Sequence, residues 1–299
     1  MISETALDRL QGLIARPDLS GTRYQLVSIL GRGGMATVYL ARDTTLDRDV
    51  ALKVLDWTKD EAFASRLAQE ARILASLEHP GIVPVHDFGV LADGRVFYAM
   101  KRVRGERLDR WAEHRDLHER LAAFLRICDA VAFAHAHGVV HRDLKPANVM
   151  VGEFGEVLVL DWGIARVRGE SEAGIVAGTP DYMAPEQVRG DRIVDERADV
   201  FALGTMLTGL TRLAGMGNRR KALAAITAKA TSADAVDRYA SVEALRDDVS
   251  RFMAGLAVDA QQESITDLVF RVVRRHRLAI ALVLAYLAMR LILLYVFHI

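Results

Sequence analysis

The sequence predicts an α+β fold of two unequal lobes, followed by one C-terminal transmembrane helix. Three observations carry that expectation. Residues 24–98 contain short alternating or β-branched runs, YQLVSIL, ATVYLA, DVALKVL and RVFYAM, broken by Gly- or Asp-containing turns, which is the period-two pattern of strands. Beyond Gly105 the pattern turns helical, through LDRWAEH, LHERLAAFLRICDAVAFAHAHG, DVFALGTMLTGL, KALAAITAKA and SVEALRDDVSRFMAGL. Leu278–Phe297 is 20 residues long and carries a single charge, Arg290. A strand-rich part followed by a helical part implies two packed layers with a cleft between them.

Taken in order, residues 1–23 form an N-terminal extension. Ile2, Leu7, Leu10 and Ile14 fall at helical spacing there, and the helix should end near Arg16-Pro17. The N-lobe is expected over 24–100, with the helical segment EAFASRLAQEARILASL interrupting its strands. A hinge at 101–104 leads into the helical C-lobe at 105–256. Residues 257–277 form a basic linker, and 278–297 span the bilayer. No internal repeat or low-complexity tract interrupts this order.

Composition narrows the function classes. Lys plus Arg balance Asp plus Glu at 39 each, so no global charge draws the chain to nucleic acid or to an acidic partner. One cysteine, Cys128, cannot form an internal disulfide, which suits a reducing compartment. Its neighbours Phe124, Leu125, Ile127 and Val131 make it a core residue of a buried helix. The mean hydropathy is positive, and Leu278–Phe297 is the cause. At about 1.5 Å per residue this span covers roughly 30 Å, the thickness of the hydrocarbon core. Its Leu, Ile, Val and Phe side chains sum to about −4 to −7 kcal/mol of insertion, against roughly +2.5 to +3.5 for Arg290. The tract RVVRRHR at Arg271–Arg277 precedes the span, and positive residues stay on the cytoplasmic side. Beside an apolar span this tract is read as meeting anionic lipid headgroups and not nucleic acid. The N-terminus shows no basic region followed by an apolar one, so no signal peptide is expected. Only His298 and Ile299 follow the span, so no extracellular sensor domain is expected either.

The residues that carry chemistry lie in three places. The first is Leu30-GRGGMATV, a strand–turn–strand with Gly31, Gly33 and Gly34 around Arg32. Glycines let backbone N–H groups approach phosphates closely, but alone this signal is weak. The second is VALK, which puts Lys53 at the end of an apolar run; buried there, it needs a counter-charge, and Glu70 in the following helical segment is the candidate. The third is HRDLKPANVM at His141–Met150, followed by a strand-like VLVL and then DWG at Asp161–Gly163. Asp143, Asn148 and Asp161 offer hard oxygen ligands or proton acceptors, with the cation Lys145 beside them. That set suits a divalent cation and a triphosphate held while a hydroxyl is oriented for attack.

In this order and spacing GxGxxxxV, VALK, HRDLKPAN, DWG and GTPDYMAPE resemble the eukaryotic-type protein kinase family, over roughly Tyr24 to Leu256. More narrowly they resemble bacterial membrane-anchored Ser/Thr kinases. The resemblance implies the bilobal protein kinase fold, with ATP and Mg²⁺ (or Mn²⁺) as cofactors and protein substrates as partners. With the span and its basic flank, the expected place is the cell membrane, a bacterial inner membrane crossed once, with the kinase domain cytoplasmic. Carried over by residue, Gly31, Gly33 and the backbone to Val38 cover the phosphates. Lys53 contacts the α/β-phosphates and pairs with Glu70. Asp143 accepts or orients the substrate hydroxyl, Lys145 steadies the γ-phosphate, and Asn148 and Asp161 hold the metal. Leu30, Val38, Ala51 and Met150 sandwich adenine, with Met100 as gatekeeper and Val103 at the hinge. Lys145 and Thr179 match the Ser/Thr branch. Glu186 pairs with Arg238, and Asp199 braces the catalytic loop, both as structural roles.

The chain departs from the family in several places. Ala36 replaces the third glycine of the loop, Trp162 the usual Phe, and Lys101 an acidic hinge residue. Arg142 precedes Asp143, where such an arginine usually pairs with a phosphorylated activation-loop residue. Between Gly163 and Gly178 the only hydroxyl is Ser171, the one phosphorylation candidate inside that loop, with Arg142 and Thr179 as the other regulatory candidates. After DVFALGTMLTGLTRL the chain runs through AGMGNRR into KALAAITAKA, without the further helix most kinases place there. His135, His137 and His141 have metal-like spacing but fit a helix end running into the catalytic loop. Arg290 is read as snorkelling or as pairing in the membrane, for instance in a homodimer. Two rivals stand beside an active Ser/Thr kinase. One is a membrane-tethered pseudokinase scaffold, against which Lys53, Asp143 and Asp161 are all present. The other is a small-molecule kinase, against which the GTPDYMAPE platform speaks.

Overall fold

Alternation in the first lobe builds a five-stranded antiparallel sheet. In a computed structural model that describes residues 16–33, 36–56, 61–162, 166–167, 179–191, 194–211, 220–261, 286 and 289–290, the strands are β1 (Tyr24–Arg32), β2 (Ala36–Asp43), β3 (Arg48–Leu55), β4 (Val85–Val90) and β5 (Val96–Lys101). Their spatial order is β1-β2-β3-β5-β4. Four of them are the runs read from the sequence. The edge strand β4, VHDFGV, carries no clean alternation, and all six of its residues are half-buried or exposed.

Both faces of β3 are covered, and the two-residue period sorts its side chains between them. Val50, Leu52 and Val54 join Tyr24, Tyr39 and Phe97 in an outer cluster. Ala51, Lys53 and Leu55 face the other way, toward α1 (Glu61–Ser76), and Leu55 packs with Leu67, Ala71, Leu74 and Tyr98 there. Leu67, Ala71 and Leu74 lie at helical spacing on one stripe of α1. Glu70 falls inside that stripe, so the helix that buries its apolar face also buries a carboxylate.

The second lobe is built on α3 (Leu117–Ala136). Its N-terminus carries a reciprocal cap: Asp116 Oδ1 accepts from Glu119 N at 2.8 Å, and Glu119 Oε2 accepts from Asp116 N at 3.0 Å. Phe124, Ile127, Cys128 and Val131 on this helix are fully buried, and burial pushes the Cys128 thiol well above its ordinary pKa. Around α3 lie α2 (Leu108–Glu113), α4 (Pro185–Arg189), α5 (Arg197–Thr211), α6 (Arg220–Ala230) and α7 (Val242–Met253). A three-stranded sheet orders β6 (Gly105–Arg107), β8 (Val149–Gly152) and β9 (Val157–Val159) as β6-β8-β9. The short β7 (Val139–Val140) pairs with β10 (Arg166–Val167). Gly105 opens β6 where a Cβ would lie 2.1 Å from the Val151 carbonyl oxygen, so only glycine fits that close approach.

Apolar contact joins the lobes. Leu55, Leu67 and Leu74 belong to the same cluster as Leu121, Phe124 and Leu144. Val159 N donates to Gly81 O at 2.8 Å beside a parallel bridge between Ile82 and Val159. The C-lobe packing runs past Leu256: Val258 is buried, and the N–H groups of Asp259 and Ala260 donate to the Asp248 carboxylate.

Several expectations fall on other residues. The N-terminal helix and the basic tract 271–277 lie outside the described residues, as do Gly34, Ser171 and the short connection after α5. Of the span 278–297, Tyr286, Met289 and Arg290 are described and helical. Among the described residues no helix is long and apolar enough to cross a membrane.

Candidate active site

The register of the first sheet places the first functional group. Lys53 on β3 stands opposite Val38 on β2 and Tyr98 on β5, with its side chain on the α1 side. Its ammonium reaches Glu70 Oε1 and Oε2 at 2.8 and 3.0 Å and Asp161 Oδ1 at 2.8 Å. Burial alone would lower the Lys53 pKa. The Glu70 and Asp161 carboxylates outweigh it and hold the pKa well above the ordinary value, so the group stays charged. Asp161 is the counterpart: burial raises its pKa, while Lys53 beside it, and then His141 and Lys145, bring it below the usual value.

The loop between β7 and β8 carries the second group. Its backbone is fixed from below by Asp199 on α5, which is fully buried. Asp199 accepts the N–H groups of His141 and Arg142, each at 2.8 Å, and bonds His135 Nε2 at 2.7 Å. Burial pushes the Asp199 pKa up, but the bond from His135, and then His141 with its N–H, prevail and lower it. His141 Nδ1 accepts from Asp143 N at 3.2 Å, its Nε2 faces Leu160 O, and its ring packs on Trp162 at 4.5 Å between centroids. Gln187 Nε2 on α4 donates to Arg142 O at 2.9 Å. Held this way, Arg142 has φ 67° and Asp161 φ 57°. Left-handed backbone at non-glycine residues is strained, and it is retained where the surroundings over-determine it, as beside functional groups.

On that backbone the Asp143 carboxylate is the centre of a ring of donors. Oδ2 accepts from Lys145 Nζ at 2.7 Å and Asn148 Nδ2 at 3.2 Å, and Oδ1 from the Thr179 hydroxyl at 2.9 Å. Lys145 also donates to Thr179 Oγ1 at 2.6 Å, and Asn148 Nδ2 to Asp143 O at 2.9 Å. Because the Asn148 amide nitrogen is turned to Asp143, its amide oxygen is left for a cation. With the half-exposed Asp161 carboxylate, it makes a pair of hard oxygen donors suited to Mg²⁺ or Mn²⁺.

The remaining residues read from the sequence are placed as follows. Gly31 pairs with Val38 and Arg32 with Thr37; Leu30 sits at a bulge between Ile29 and Gly31, 48% exposed. Gly33 N donates to Ala36 O at 2.9 Å and closes the hairpin, so Ala36 serves the turn through its carbonyl while its Cβ is buried. Ala51 pairs with Met100, one row along the sheet from Lys53. Val103, after β5, and Met150, on β8, are half-buried. Glu186 and Arg238 form a two-bond ion pair at 2.6 and 2.8 Å. His135, His137 and His141 each have a hydrogen bond that fits a structural role.

Two contacts were not anticipated. Tyr98 donates to Glu70 Oε1 at 2.8 Å; its position two residues before Met100, on the same face of β5, was the available signal. Thr179, read as a branch marker, touches both Asp143 and Lys145, contacts across 36 and 34 positions that no local pattern announces.

A small strand lobe over a helical lobe, with a paired lysine above a braced Asp-Lys-Asn loop, defines the kinase class. The chain belongs to the protein kinase domain family, whose model matches residues 24–275. It is similar to the serine/threonine-protein kinase PknD of Chlamydia felis, 33% identical over 294 residues, covering 78% of this chain and 31% of that protein. It is also similar to the DNA damage-responsive serine/threonine-protein kinase RqkA of Deinococcus radiodurans, 43% identical over 197 residues, covering 62% and 29%. The crystal structure of the Mycobacterium tuberculosis PknI kinase domain superposes with a TM-score of 0.61 at 29% identity, covering 77% of this chain and 95% of that one. The chain spans about a third of the length of the curated relatives it matches.

Proposed function

We propose that the chain is an active protein kinase that transfers the γ-phosphate of Mg·ATP to Ser or Thr hydroxyls of proteins, itself included. The observation that carries this reading is the Lys53–Glu70–Asp161 ion-pair set at 2.8 to 3.0 Å, closed above an intact Asp143–Lys145–Asn148 loop.

When bound, Mg·ATP supplies the transferable phosphoryl group and a cation that offsets its charge. The chain's own groups do the rest by position. The Asn148 amide oxygen and the Asp161 carboxylate would hold the metal. Lys53, kept charged by Glu70, would share its N–H groups between that carboxylate and the α/β-phosphates. Gly31 and Gly33 let the β1–β2 backbone close over the phosphates. Leu30, Val38, Ala51 and Met150 line the adenine site, with Met100 behind it and the Val103 backbone at the hinge. Asp143 orients the substrate hydroxyl and accepts its proton as the new P–O bond forms and the bond to the leaving nucleotide breaks. Lys145 steadies the γ-phosphate by offsetting its negative charge, and Thr179 fixes the Asp143 Oδ1 side. Positioning and charge stabilisation account for most of such catalysis.

The apolar, singly charged span 278–297 and the basic flank 271–277 support tethering at the cell membrane with the kinase domain in the cytoplasm. Lipid contact through that flank and pairing of two copies at the span belong to the same reading. Its check is fractionation of the full chain: recovery in the membrane fraction after a salt wash supports it, and full release overturns it.

The catalytic reading is tested by thermal-shift titration with Mg·ATP alongside a phosphate-transfer assay. Stabilisation together with transfer is expected. Stabilisation without transfer under any condition would mark an ATP-binding scaffold instead.

A further inference from the structure

Resting on the kinase reading, we infer that Tyr98 is a positioning residue that holds Glu70, and with it α1, in the working place. Tyr98 is buried to 1% exposure, and Glu70 to 3%. The tyrosine hydroxyl donates to Glu70 Oε1 at 2.8 Å, the same oxygen that Lys53 Nζ reaches at 2.8 Å. Lys53 Nζ lies 5.8 Å from the Tyr98 ring centroid, so lysine, carboxylate and phenol form one triangle. The sheet sets this up: Lys53 and Tyr98 are direct cross-strand partners in the β3–β5 register, and such partners project from the same face. Met100 follows two residues later on that face.

The chemistry of the triangle gives Tyr98 a task no other described group fulfils. Three charges meet here, one cation and two carboxylates, and the cation must also serve a triphosphate. Each N–H that Lys53 turns toward phosphate is withdrawn from Glu70. A buried carboxylate that loses its donors is costly, and the response open to α1 is to swing outward and hydrate Glu70. The Tyr98 hydroxyl is a donor that stays on Glu70 when Lys53 is shared. Being neutral, it does not compete with Lys53 for the phosphates, as a second cation would. Its own burial makes the bond mutual, since an unpaired phenolic hydroxyl at this depth would be penalised as well. The bond ties α1 to β5, a strand that does not depend on the loop after Asp161, and so keeps the helix inward without a contribution from that loop.

The test is Tyr98→Phe in the full chain, which keeps the ring and removes the donor. Loss of one hydrogen bond to a buried charged group predicts a fall of about tenfold in kcat for phosphate transfer. The KM for Mg·ATP should move by less than about threefold, because the adenine and glycine contacts are untouched. Amide hydrogen exchange over Glu61–Ser76 should quicken with no matching change elsewhere in the N-lobe. In a Glu70→Ala background, Tyr98→Phe should add less than about twofold, the coupling expected of residues that act through one contact. Wild-type kcat and exchange in Tyr98→Phe would overturn the inference. An equal loss in both backgrounds would do the same, since it would mark a packing role. Exchange is read without turnover, so a chain inert toward all substrates would refute the kinase reading while exchange still decided on Tyr98.

Discussion

Glu186→Gln is the substitution whose cost can be worked most fully from the structure. The Arg238 side chain has no solvent exposure, and Glu186 meets it through two bonds at 2.6 and 2.8 Å. Arg238 also donates to the carbonyls of Ser232, Arg197 and Ala233 at 2.8, 3.0 and 3.1 Å, and its guanidinium lies 5.1 Å from the Phe201 ring. Glutamine removes the countercharge and turns one acceptor into a donor facing Arg238. Breaking a buried pair from one side costs about 3–5 kcal/mol. The three carbonyls retain part of the solvation of Arg238, which puts the expected loss near the lower end, about 3 kcal/mol. At about 2–4 °C per kcal/mol for a domain of this size, the melting temperature should fall by roughly 6–12 °C. Thermal unfolding followed by circular dichroism, with urea titration for the free energy, measures it. A loss below about 1 kcal/mol would show instead that the carbonyl cage alone satisfies Arg238.

The acid response follows from the same pair and from Asp199. Both carboxyls are depressed below their ordinary values of 4.5 and 3.8, so each adds stability that is fully present above its ordinary value. That stability disappears as the pH falls through the lower folded value. The melting temperature should therefore drop on acidification below pH 4.5, and less steeply in Glu186→Gln; equal slopes would remove Glu186 from the account. Gly204→Ala should destabilise by about 1–3 kcal/mol, because its Cβ would meet Ala230 Cβ at 2.6 Å and Thr231 Cγ2 at 2.9 Å. An unchanged denaturation midpoint would show that α5 and α6 can part freely. Asp199→Leu strips the acceptors from two loop N–H groups and should lower transfer far more than it lowers nucleotide affinity; a loss confined to affinity would contradict the bracing role.

Much of this was legible because the motifs are local. HRDLKPAN lies on one short loop, and Asp143, Lys145 and Asn148 meet within it, so spacing alone announced their proximity. Glu70 was legible for a different reason: a lysine in an apolar strand required a counter-charge, and the next helix offered an acid on its apolar stripe. Trp162 was legible as a replacement for the usual Phe, but its packing on His141 was not, because that contact spans two separate segments. The edge strand β4 was missed because Val85–Val90 alternates poorly, lying half-buried against α1. The contacts of Tyr98 and Thr179 were not legible because they depend on how β5 and the segment after the DWG loop close onto distant elements. His135 was assigned to a helix end, and that end also delivers its ring to Asp199 across 64 residues of sequence. Periodicity reports which face a residue occupies, not which distant atom waits there.

The most direct measurement of the central claim is transfer of label from γ-labelled ATP with Mg²⁺ to a generic protein substrate, followed by phosphoamino-acid analysis. Wild-type chain should be compared with Lys53→Met and Asp143→Asn. Phosphoserine and phosphothreonine are expected from the wild type, with loss of incorporation in both variants. Incorporation that survives both substitutions, or none from the wild type while Mg·ATP still binds, would contradict the claim.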